Sequence, residues 1–171
     1  MQGIVKVIDG FNKVLRYVIA VLLAVMTALI VYQVVARLLS GYLDFDIPRW
    51  TEELARYCMI WSVLIGTSLA VRYNALIGVE AIAERLPQNM QKLLRILVLV
   101  ISMVFFVVLI IFGFEMLGHV GKQLSPGLKI PMTIPYASLP VGGLFMLINA
   151  VAVLIEVMTG KMNREFFKGA E

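Results

Sequence analysis

Four long apolar stretches separated by short polar connections organise the chain. Residues 17–36, YVIAVLLAVMTALIVYQVVA, run from Arg16 to Arg37 without a formal charge. About 20 residues rise roughly 30 Å as a helix, the thickness of a bilayer's hydrocarbon core, so a first span is predicted over about residues 15–38. A polar connection, SGYLDFDIPR, follows. The second apolar stretch, Trp50 to Arg72, confines its acids and Arg56 to the first turns and is uncharged over 57–71. Those roughly 15 residues fall short of the core, so a span over 51–72 must carry the turn of Glu52, Glu53 and Arg56 with it. Next, Val79, Ile82, Ala83 and Leu86 stand at i, i+3, i+4 and i+7, with Glu80, Glu84 and Arg85 on other faces. This predicts a short amphipathic helix at about 78–86, lying in the interface and ended by Pro87. Gln88–Arg95 opens a third helix with an uncharged run at Ile96–Phe114, a span over about 91–119. The Pro/Gly-rich connection LSPGLKIPMTIP leads to the fourth span, 136–158, where Pro135 suits a helix start and Pro140 disturbs only the first turns.

Composition agrees with lipid as the solvent. The 171 residues are 61% hydrophobic and 15% charged, against roughly 45–50% and about 25% in soluble domains. The expected fold is an all-α integral membrane protein: four transmembrane helices and one interfacial amphipathic helix in a single domain, 1–171. The length excludes a transporter built from two multi-helix repeats. No cleavable leader is apparent, and the first apolar run is read as an uncleaved span. The net charge of +4 is informative through its placement. Ten basic residues fall on one side: Lys6, Lys13 and Arg16, then Arg72, Arg85, Lys92 and Arg95, then Lys161, Arg164 and Lys168. The other side carries five: Arg37, Arg49, Arg56, Lys122 and Lys129. The positive-inside rule places both termini in the cytoplasm. Trp50, Tyr42, Tyr57 and Tyr136 then mark the outer interface and Tyr17 and Tyr73 the inner one.

Candidate chemistry collects at the outer ends of the spans. Arg37 closes the first, Glu52, Glu53 and Arg56 open the second, and Glu115 lies near the end of the third. Glu52 and Arg56 have the favourable i, i+4 order, and Arg37 and Glu115 are expected to pair across helices because an unpaired charge near lipid is costly. At this depth the groups are read as interfacial anchors of helix packing in preference to an ion or substrate path. Gln33 and Asn149 are read as interhelical hydrogen-bonding groups. Ala20, Ala24 and Ala28 form a small-residue stripe that Gly66 and Ala70 repeat on the second span, faces that permit close helix approach. His119 is read as an interfacial residue.

One cysteine, Cys58, and one histidine, His119, cannot build an internal disulfide, a metal cluster or a paired haem site. The chain has no phosphate-binding G-x-x-x-x-G-K-[ST] loop, no G-x-S-x-G and no His-Glu-x-x-His. It also lacks the paired interrupted helices on which secondary transporters bind substrate. No cofactor, metal, nucleic acid or enzymatic activity is implied; the contacts expected are lipid and protein. A self-sufficient homo-oligomeric exporter is the alternative, although the first span holds no midplane carboxylate. A lipid-modifying enzyme would need a metal-binding arrangement or a nucleophile with its base.

Residues 50–87, WTEELARYCMIWSVLIGTSLAVRYNALIGVEAIAERLP, resemble the small membrane subunit of tripartite ATP-independent periplasmic (TRAP) transporters, the DctQ-like family. The resemblance rests on the order of Trp50, Glu52, Glu53, Arg56, Trp61, Gly66, Arg72, Val79 and Leu86-Pro87, and the four-span plan extends it over nearly the whole chain. Asn74 departs from the family, where many relatives carry histidine. The resemblance implies a non-catalytic subunit of the bacterial inner membrane that scaffolds a large membrane subunit. A periplasmic binding protein would deliver an organic acid for sodium-driven uptake. The chain is most similar to small subunits of sialic acid systems, with C4-dicarboxylate the alternative substrate. Asp44, Asp46 and Arg49, in the first outer loop, are the residues expected to steer the periplasmic partner.

Overall fold

The computed structural model describes residues 2–40, 50–73 and 87–159. The expected interfacial helix at 78–86, Asn74, and the docking candidates Asp44, Asp46 and Arg49 lie outside these residues. Five helices are described: α1 (Gln2–Leu39), α2 (Trp50–Arg72), α3 (Gln88–Val120), the single turn α4 (Thr133–Tyr136) and α5 (Ser138–Thr159). Four spans, Val7–Leu39, Trp50–Arg72, Met90–Val120 and Thr133–Thr159, are long and apolar enough to cross a membrane.

α1 runs 38 residues, about 57 Å at 1.5 Å per residue, well beyond its uncharged stretch. The first turns hold because Asp9, Asn12, Leu15 and Arg16 all find partners on other helices. α4 and α5 form nearly one span, with a break at Ala137. Pro140 explains the break: without an N–H it cannot donate to the carbonyl of Tyr136, and the chain closes the gap with Val141 N to Ala137 O at 3.2 Å and Ser138 Oγ to Pro135 O at 2.6 Å.

The helices stand in an open row, α1, α2, α5, α3. α1 packs along α2, α2 along α5, and α5 along α3; α1 also meets α5 through Asn12–Asn149 and Phe11–Phe145, while α1 and α3 make no contact with each other. The seams follow seven-residue spacing. On α1 the positions turned from solvent are Asn12, Leu15, Ile19, Leu22, Met26, Leu29, Gln33 and Ala36, and on α2 they include Thr51, Ala55, Cys58, Ser62, Ile65 and Leu69. Alternating steps of three and four keep one stripe on the partner, the geometry of left-handed antiparallel packing. α3 buries one residue per heptad, Leu99, Phe106, Gly113 and Val120, and leaves its other faces bare. α5 is buried on two sides, with Ala150 and Ala152 wholly inaccessible.

Two apolar clusters fill the seams. Leu15, Ile65 and Leu69 form one, bordered by Ile19, Leu22, Trp61, Tyr73 and Phe145. Val71, Leu99, Phe106, Met146, Ala150, Val153 and Val157 form the other. α5 fits between α2 and α3 because it carries adjacent glycines. A Cβ on Gly142 would stand 2.8 Å from Leu64 Cβ, and one on Gly143 2.8 Å from Leu109 Cδ2. Without a hydrophobic force to drive helices together in lipid, such close contact is a principal source of cohesion.

Gly66 behaves differently: nothing lies within 4 Å of the Cβ it lacks. Gly142→Leu and Gly143→Leu are therefore expected to destabilise the detergent-solubilised protein by about 1–3 kcal/mol each through overpacking, while Gly66→Ala changes it by less than about 0.5 kcal/mol. Unfolding by SDS titration, followed by circular dichroism, measures the difference. Equal effects at positions 66, 142 and 143 would contradict the packing described.

Candidate functional site

Polar side chains gather at the two ends of the row. In the half of the row where α1 starts and α5 finishes, amides tie three helices, with Asn149 midway along α5. Asn12 Nδ2 donates to Asn149 Oδ1 at 2.7 Å, Asn149 Nδ2 donates back to Asn12 Oδ1 at 3.1 Å, and Asn149 Nδ2 also donates to the Ser68 carbonyl at 2.9 Å. Asn12 is 0% and Asn149 1% exposed, so an amide deprived of its partner here would meet neither water nor another polar side chain.

Arg72 completes this end. Its Nη1 and Nη2 donate to the two Glu156 oxygens at 2.7 and 2.8 Å, and its Nε to Asp9 Oδ1 at 2.9 Å. The guanidinium side chain is only 8% exposed. A planar fork facing a carboxylate is the strong form of an ion pair, and this one joins α1, α2 and α5 a turn beyond the amides. Arg16 donates to the Tyr73 hydroxyl and lies 4.6 Å from the ring centroid.

At the other end Glu53 organises the connection between α3 and α4. Its Oε1 accepts from the Gly127 N–H at 2.8 Å; its Oε2 accepts from the Leu128 N–H at 3.0 Å and from the Ser125 hydroxyl. A Cβ on Gly127 would stand 3.1 Å from the carboxylate carbon. Ser125 N to Ile130 O at 2.9 Å and Met132 N to Gln123 O at 2.9 Å close the connection into a turn with one antiparallel bridge, and the Tyr57 hydroxyl meets Met132 Sδ at 3.7 Å. Glu52 points elsewhere, pairing with Arg56 at 3.1 Å with both side chains more than half exposed; a pair so exposed contributes little.

The remaining sequence candidates separate. Arg37 and Glu115 do not pair, which corrects the expectation: they stand on α1 and α3, the outer members of the row, which never touch. Both are exposed, at the ends of their helices, and Arg37 O accepts from Ser40 Oγ at 2.8 Å. Trp50 opens α2 and is 42% exposed. Ala20, Ala24 and Ala28 are exposed and lie half a turn from α1's seam, so they pack against nothing described in this chain. Gly66 and Ala70 are half-buried beside the outward face of α2. Close approach falls instead to Gly142 and Gly143, and the strongest ties to Asn12, Arg72, Asp9 and Glu156, none of which the span pattern marked as site residues. His119 Nδ1 lies 2.9 Å from the Glu115 carbonyl.

Chemically, both clusters hold shape. Asn149 and the guanidinium of Arg72 are occupied by neighbouring side chains and a carbonyl, and the Glu53 oxygens by the turn. Among the described residues no three His, Cys, Asp or Glu side chains converge. Asn12→Leu and Asn149→Leu are each expected to cost about 1–2 kcal/mol, since each strands a buried amide, and the double variant less than their sum. SDS unfolding of the three variants measures the coupling; strict additivity would contradict a direct amide pair.

Comparison with known proteins identifies the family and several relatives. The family model for the DctQ component of tripartite ATP-independent periplasmic transporters matches residues 26–160. The chain is 24% identical, over 90% of its length, to the C4-dicarboxylate TRAP transporter small permease protein of Vibrio cholerae, 75% of which is covered. It is 27% identical, again over 90%, to the sialic acid TRAP transporter small permease protein of the same organism, with 84% covered. To the isethionate TRAP transporter permease protein DctMQ of Oleidesulfovibrio alaskensis it is 31% identical over 81% of this chain, yet it covers only 22% of that longer protein. The chain belongs to the DctQ family, the small permease component of TRAP transporters, and is an integral protein of the inner membrane.

Proposed function

We propose that this subunit is a stationary scaffold: it braces a large membrane subunit that carries substrate and coupling ion, and moves no solute itself. The observation that supports this is the open row. A solute path needs walls on several sides, whereas here α1 and α3 stand apart at opposite ends, and the Asn12 and Asn149 amides and the Arg72 guanidinium are taken up by partners on neighbouring helices. The bare side of α1, with Ala20, Ala24 and Ala28 along it, suits close approach of a helix from the large subunit. α3 presents Ile101, Phe105, Val108 and Phe112, bulky side chains suited to lipid. The relative named as a combined DctMQ permease, of which this chain matches less than a quarter, supports a role beside a larger membrane protein.

Orientation follows from the basic residues: both termini cytoplasmic, the Glu53 end periplasmic. Asp44, Asp46 and Arg49 then lie in a periplasmic loop where charge steers a binding protein. The transported solute is an organic acid taken up with sodium. The relatives are permease proteins of TRAP transporters named for sialic acid, C4-dicarboxylate and isethionate, and sialic acid is the substrate we favour.

Reconstitution tests the reading. Proteoliposomes containing the large subunit, this chain and the binding protein are expected to take up sialic acid when an inward sodium gradient is imposed, and to lose at least about tenfold in rate, roughly 1.4 kcal/mol, when this chain is left out. Uptake by this chain alone, or full uptake without it, would overturn the scaffold role.

A further inference from the structure

We infer that the Lys122–Pro131 turn is a preformed docking surface for an acidic patch on the periplasmic binding protein. The inference rests on the TRAP reading and orientation proposed above. It adds a second contact site, distinct from Asp44, Asp46 and Arg49.

The turn is built more firmly than a connection requires. Only twelve residues separate the end of α3 from α4, and an untethered loop spans such a gap at small entropic cost. Here Glu53 spends both carboxylate oxygens on the turn, holding Ser125, Gly127 and Leu128 at once, while Leu124 and Pro131 form an antiparallel bridge at its base. A loop ordered in advance loses less freedom when a partner binds.

The turn also sets two lysines against the single carboxylate of Glu53, a local excess of positive charge. Glu53 is the acid that touches the turn, and its oxygens are filled by a hydroxyl and two backbone N–H groups, none of them from a lysine. Lys122 and Lys129 are exposed and form no ion pair among the described residues. Lys129 has φ 53°, a left-handed backbone that glycine or asparagine adopts at lower cost. A long cation held there is displayed outward at the tip of the fold. Between the two lysines Leu124 is 63% exposed, an apolar contact beside the charge. Two cations flanking an exposed leucine suit a protein surface with carboxylates around a small apolar spot, and such charge acts chiefly on encounter rate and specificity.

The test uses the intact complex of both membrane subunits in nanodiscs, with the binding protein of this transporter as probe. The Lys122→Glu/Lys129→Glu variant is expected to bind about tenfold more weakly at low salt. Wild-type affinity is expected to fall between about 50 and about 300 mM NaCl, and that of the variant to fall less. Lys129→Gly, which keeps the left-handed backbone and removes the side chain with its charge, is expected to weaken binding about threefold, separating the lysine from loop geometry. Wild-type binding that charge reversal and Lys129→Gly both leave unchanged would overturn this surface while leaving the TRAP reading intact. A Gln123→Cys thiol that reacts with an impermeant maleimide only in inside-out vesicles would overturn the orientation, and this surface with it.

Discussion

Cohesion of this subunit depends on polar pairing where water is scarce. Lipid tails are as apolar as leucine, so the hydrophobic effect that assembles a soluble domain does little to hold α1, α2 and α5 together. The Asn12–Asn149 amides and the Arg72 fork supply what it does not. Each links helices distant in sequence, with Arg72 standing 63 residues from Asp9 and 84 from Glu156. Both lie in the half of the row where α1 starts; at the opposite end Glu53 ties α2 to the turn after α3, and side-chain packing holds the seams between. Breaking the pairs would leave buried amides or a guanidinium without a partner, which costs more than the pairs themselves contribute.

The row follows from where close approach is possible. α5 accepts helices on two sides because Gly142 opens toward α2 and Gly143 toward α3. α1 and α3 each have one packed stripe, so neither can close the row into a bundle. The bare faces are then available to lipid and to another protein, which is the geometry a scaffold needs. At the opposite end Glu53 turns a connecting segment into a fixed shape, so the same helix α2 helps hold the polar tie at one end and positions an exposed turn at the other.

The spans were legible in the sequence because a run of apolar residues signals a membrane helix by length alone. The resemblance at residues 50–87 likewise pointed to the DctQ family that the comparisons establish. The contacts were less legible, for particular reasons. Asn12 lies outside the uncharged stretch and reads as tail, although its place in the heptad of Leu15, Leu22 and Leu29 was the available signal. Glu52 and Glu53 look like one acid pair, yet neighbouring residues project about 100° apart on a helix, and only one of them meets the turn. Arg72 reads as an orientation charge because its partners are remote. The expectation of an Arg37–Glu115 pair failed because span depth can be read from sequence while helix order cannot. The small-residue stripes show the same gap: Ala20, Ala24 and Ala28 are visible as a motif, but which helix they face is not.

Pairwise disulfide cross-linking in native membranes tests the open row most directly, in a background with Cys58→Ser. Cysteines replacing Leu15 with Leu69 and Phe106 with Met146 are expected to cross-link within one chain, since each pair shares a cluster. Cysteines replacing Leu22 with Met103, on α1 and α3, are expected not to. An efficient intramolecular α1–α3 disulfide would contradict the account by showing that the four helices close into a bundle.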